Sequence, residues 1–83
     1  MKPDAFKVSR KVVGIKQVSK AVERGEAVTV FVAADAEPRL VQGLLALLEK
    51  HNVPLDESAT MQELGRACGI EVGASAVALL RDM

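Results

Sequence analysis

Apolar residues along the chain alternate between a period near two and a period near 3.6, and the switches between them predict the elements. The first polar stretch, residues 4–11, suits a short helix, and VVGI, residues 12–15, a short strand. From Lys16 to Arg24, Val18, Ala21 and Val22 recur at helical spacing, with Gly25 as a plausible stop. VTVFVA, residues 28–33, is rich in β-branched side chains and reads as a buried strand. Asp35 then suits the cap of a helix with Pro38 in its first turn. In that helix Leu40, Val41, Leu44, Leu45, Leu47 and Leu48 form a wide apolar stripe, ending near His51 and Asn52.

Pro54–Glu57 suits another short strand. Thr60 and Glu63 have capping-box spacing before a helix that ends near Cys68 and Gly69. SAVALL, residues 75–80, is apolar enough for a central strand. The order α-β-α-β-α-β-α-β predicts an α/β fold with helices on both faces of a four-stranded, mixed sheet. No repeat, linker or low-complexity segment interrupts it, so residues 1–83 are expected to form a single domain.

Composition narrows the function classes without choosing among them. With 49% hydrophobic and 27% charged residues, the chain has the balance of a soluble globular domain. The single Cys68 cannot form an internal disulfide, and no stretch reads as a signal peptide or membrane span. A cytoplasmic monomer with no membrane partner is the expectation. The formal net charge is zero, yet it is unevenly spread. Residues 1–24 hold seven basic side chains against two acidic ones, and the remainder four against nine. Such asymmetry is a better guide to an anionic partner than the total, although basic runs also serve simply as solvated surface.

The chemistry of an enzyme is hard to find. His51 and Cys68 are the only histidine and cysteine, so there is no cluster at metal-ligand spacing, and no catalytic residue, metal or cofactor is assigned. Cys68 reads as a structural thiol, since no base is identified beside it. Neither GxxxxGK[ST] nor GxGxxG occurs. Gly65, Gly69 and Gly73, spaced by four, read as backbone devices, with Gly69 ending a helix and Gly73 allowing close approach of a partner. With only Phe6 and Phe31 as aromatics, the stacking platforms common in single-strand binders are missing.

GIKQVSK, Gly14–Lys20, is the stretch that asks for a ligand. A helix start favours anions, yet this one carries Lys16 and Lys20 with no acidic residue in the segment before Glu23. Lys16 and Lys20 are spaced i, i+4 and Gln17 and Lys20 i, i+3, so all three project from one end of the helix. Lysine donates to phosphates or to guanine O6 and N7, and a glutamine amide both donates and accepts along a purine edge. Gly14 would let an RNA backbone come close.

GIKQVSKAVERG, VFVAADAEPRL and ELGRACGIEVGASAVAL follow one another in an order and spacing that resembles the kink-turn RNA-binding ribosomal protein family of the large subunit, of archaeal and eukaryotic type, especially its small bacterial YbxF-like members. The resemblance runs from about Val8 to Leu80. It implies a three-layer α/β/α sandwich and a non-catalytic protein that binds and stabilises kink-turns, with ribosomal RNA, a riboswitch or a messenger leader as target and ribosome association expected. The family pattern Gly-x-Asn-Glu-x-x-Lys, which contacts tandem sheared G·A pairs, is matched at Gly14 and Lys20. Lys16 and Gln17 stand where archaeal and eukaryotic members have Asn and Glu. The resemblance also implies that the loop Ile70, Glu71, Val72 and Gly73 contacts RNA, with Ile70 and Val72 against the looped-out nucleotide. By hydropathy alone Ile70 and Val72 read as core. A ribosome-associated protein-docking module with a decayed RNA site, using its acidic surface, is the alternative, and an enzyme using Cys68 a distant third.

Overall fold

The computed structural model describes residues 10–81. Its elements are β1 (Lys11–Val13), α1 (Ile15–Glu23), β2 (Ala27–Val32), α2 (Pro38–His51), β3 (Leu55–Asp56), α3 (Met61–Ala67) and β4 (Ala76–Leu80). The expected first helix falls largely outside the described residues, and at its end Lys11 already opens β1. The strand expected over residues 12–15 closes at Val13 because Gly14 turns the chain into α1.

The sheet runs β1-β4-β2-β3, with β4 antiparallel to both neighbours and β2 parallel to β3. Strands β1 and β2 therefore point the same way, and the crossovers β1-α1-β2 and β2-α2-β3 advance in one direction. Right-handed crossovers of that kind place both helices on the same face. There α1 and α2 pack against each other, and α1 also lies on β1, β2 and β4. The third helix packs on β4 from the other layer, completing the α/β/α arrangement.

Because both faces are covered, β4 is apolar throughout, with Ala76, Val77 and Ala78 fully buried. The core joins Val18 and Val22 of α1, Val30 and Val32 of β2, Leu44 and Leu48 of α2, and Leu64 of α3. Val28 escapes it: the β2–β4 register shifts between Ala27 and Thr29, and the skipped residue points outward at 48% exposure. Leu40, part of the apolar stripe by sequence, lies 59% exposed in the first turn of α2.

Local chemistry explains the ends of the elements. The Thr60 hydroxyl accepts from Glu63 N–H at 3.2 Å, and the Glu63 carboxylate accepts from Thr60 N–H at 2.9 Å, giving the capping box expected from the sequence. Helix α2 begins with Pro38, as expected, but Asp35 does not cap it; Glu37 holds the cap position without a side-chain hydrogen bond. The Asp35 carboxylate instead accepts from the Met61 N–H at 2.8 Å, at the start of α3. Sequence proximity favours the nearer helix, but the β2–α2 loop lies beside the start of α3, where Ala34 N–H also donates to Ala59 O at 2.8 Å.

Candidate nucleic-acid interface

Three connections meet at one end of the sheet: the β1–α1 turn, the β2–α2 loop and the loop that precedes β4. Gly14 N–H donates to Ala76 O and Ala33 N–H to Ser75 O, each at 2.9 Å. The start of α1 is thereby fixed to the start of β4, across a sequence separation that no local signal reveals.

Gly14 adopts φ 99°, which side chains on an L-residue rarely allow. A Cβ there would meet nothing within 4 Å, so the turn itself, rather than crowding, calls for glycine. The first hydrogen bond of α1 runs from Val18 N–H to Gly14 O at 2.9 Å. Ahead of it lie the N–H groups of Ile15, Lys16 and Gln17, with no capping side chain and no acidic residue in the first turn. Lys16, Gln17 and Lys20 are exposed, while Val18, Ala21 and Val22 hold the helix to the core. Neither Lys16 nor Lys20 is ion-paired among the described residues. Lys16 thus stands at a helix end whose partial charge is also positive, whereas Lys20 lies in the last turn of this nine-residue helix, so the expectation that both sit at its start holds for Lys16 alone.

On the other layer, α3 closes through Cys68 into Gly69 at φ 75°, and Ile70 N–H returns to Gly65 O at 3.0 Å. The chain then folds back over the helix, and Ala74 N–H donates to Met61 O at 3.0 Å. Glycines make this possible. A Cβ on Gly65 would collide with the Val72 carbonyl, and one on Gly73 would sit 3.1 Å from the Met61 Cβ. The close approach expected at Gly73 is therefore made to the protein's own helix.

Folding back pushes Ile70 and Val72 outward, to 38% and 70% exposure, so their hydropathy does not make them core. Glu71 is exposed between them. Beside this loop lies an open groove of about 610 Å³, lined also by Asp35, Met61, Gln62 and Arg66. None of these four was a site candidate by sequence, Asp35 having been read only as a helix cap; the fold gathers them from the β2–α2 loop and α3.

The remaining candidates lie elsewhere. His51 is exposed at the last turn of α2. Cys68 is half-buried against the core, and that burial pushes its thiol above the usual range, with Lys11 acting weakly in the opposite sense. Among the described residues no group of three or more His, Cys, Asp or Glu could hold a metal ion, and no helix is long and apolar enough to cross a membrane.

Fold and site together define a small three-layer α/β/α recognition domain that gathers a lysine-bearing helix start and an apolar loop at one end of its sheet. The chain belongs to the Ribosomal protein L7Ae/L30e/S12e/Gadd45 family, which it matches over residues 2–82. It is 40% identical over 76 residues to an RNA-binding protein of Geobacillus sp. (strain WCH70), covering 92% of this chain and 93% of that one. It is 44% identical over 70 residues to the RNA-binding protein YbxF of Geobacillus stearothermophilus, covering 84% and 85%. Among solved structures, the Giardia lamblia 15.5kD RNA binding protein superposes with a TM-score of 0.87 at 28% identity, over 96% of this chain and 68% of that one. These relationships set the chain in the small bacterial branch that the sequence blocks resemble, among proteins that are not enzymes.

Proposed function

We propose that the protein binds RNA without catalysis and recognises kink-turns, using the start of α1 and the loop before β4 as two halves of one surface. The observation that carries this reading is the meeting at one sheet end of the α1 start, with exposed Lys16 there and exposed Lys20 one turn on, neither ion-paired among the described residues, and the loop with exposed Ile70 and Val72. The RNA-binding names of relatives at 40% identity and above support it.

In this reading Lys16 and Lys20 bring ammonium groups to phosphates or guanine edges of the G·A pairs, and the Gln17 amide meets a purine edge. The N–H groups of the first turn favour the same anions. Gly14 shapes the turn. Ile70 and Val72 offer an apolar rest for the looped-out nucleotide, and the backbone from Ile70 to Gly73 offers polar groups beside it. A surface that fits only the bent RNA shifts its population toward the bend. The target is a kink-turn of ribosomal RNA, a riboswitch or a messenger leader, in the cytoplasm and in association with the ribosome.

Calorimetric titration against a kink-turn RNA, and against the same RNA with Watson–Crick pairs replacing the tandem G·A pairs, tests the reading at two salt concentrations. Preference for the kink-turn by at least about tenfold, or about 1.4 kcal/mol, is expected. Equal binding of both, or of neither, would leave the lysines as solvated surface and favour a protein-docking role.

A further inference from the structure

An exposed carboxylate at an end of the molecule that receives phosphates is electrostatically unfavourable, and Asp35 is such a carboxylate. Its hydrogen bond explains its place. The capping box uses the N–H groups of Thr60 and Glu63, both within α3's own start. The Met61 N–H lies between them and goes instead to Asp35, 26 residues away in sequence. Met61 also accepts from Ala74 N–H through its carbonyl, at 3.0 Å, and its Cβ lies beneath Gly73. One residue thus links the β2–α2 loop on one side to the Ile70–Gly73 loop on the other.

We infer that Asp35 is a positioning residue for RNA: through Met61 it holds the Ile70–Gly73 loop in the orientation that the start of α1 requires. This rests on the RNA-binding reading above. The capping box fixes α3 to itself, whereas Asp35 fixes α3 to the sheet end that carries the other half of the surface. What the position needs is an acceptor oxygen and not a charge. Asparagine supplies that oxygen, and alanine does not.

The test compares the full-length wild type, Asp35→Ala and Asp35→Asn for affinity to the kink-turn RNA and its Watson–Crick counterpart, together with amide hydrogen exchange of each free protein. Asp35→Ala is expected to bind the kink-turn about tenfold more weakly, and Asp35→Asn within about twofold of wild type or more tightly, one repelling charge being gone. Exchange at Ile70 and Ala74 should quicken in Asp35→Ala, with Val30 and Val77 unchanged. Equal weakening of both variants, unchanged affinity of Asp35→Ala, or uniformly faster exchange throughout it would overturn the assignment. Absence of any wild-type preference for the kink-turn would instead overturn the RNA reading, and the role of Asp35 with it.

Discussion

Lys20 stands one helical turn from Lys16 on an exposed face, and the two repel each other mildly while the protein is free. On the proposed contact, an RNA phosphate would remove that repulsion and gain a charge-assisted hydrogen bond. Lys20→Ala should therefore weaken kink-turn binding by about 1 to 3 kcal/mol and flatten the salt dependence, measured by mobility shift at two ionic strengths. Cys68 gives a residue-scale prediction of another kind. Because burial raises its folded pKa, the thiol stays protonated to higher pH than in the unfolded chain. The stability it contributes is present below the unfolded pKa and is lost as pH rises through the folded one. Alkylation of the native protein should be slower than that of the denatured chain near pH 9, and rate measurements on the two check it.

At the scale of elements, α3 and its loop act as a unit because Gly65 lets the Val72 carbonyl lie against the helix. Gly65→Ala should lower stability by about 1 to 3 kcal/mol, seen in urea unfolding, and weaken RNA binding beyond what the remaining folded fraction explains. Elements were also where the sequence was most legible. The capping box, the Gly69 stop and the apolar run of β4 each depend on residues near one another, and each is found in the structure. Asp35 was misassigned because its partner is distant in sequence. Ile70 and Val72 were misplaced by hydropathy because the backbone turns at Gly69 and Gly73 decide which way they face, and apolarity does not. In all three cases the family resemblance or the fold supplied what local pattern could not.

For the whole molecule, alternation of periods was enough to foretell a mixed four-stranded sheet covered on both faces. Strand order was not foretold, since nothing in SAVALL says that it enters between β1 and β2. The candidate surface was legible as two separate segments, and only the Gly14–Ala76 and Ala33–Ser75 hydrogen bonds show that they share one end. The zero net charge belongs at this scale too. With no overall attraction to polyanions, the kink-turn preference proposed above would rest on the local field of α1 and on shape, so the advantage of the kinked RNA over its straight counterpart should persist as salt rises while both affinities fall.

Strand β4, the last of the described elements, occupies a central place in the sheet. During synthesis β1 and β2 emerge first but have no direct pairing with each other, so each waits with an open edge for a segment made more than forty residues after β2 begins. Until that segment slots in, the start of α1 has no Ala76 carbonyl to hold it. The geometry of the proposed surface thus hangs on one of the most sequence-distant pairings of the described fold, Gly14 N–H to Ala76 O, and not on the helix that carries the lysines.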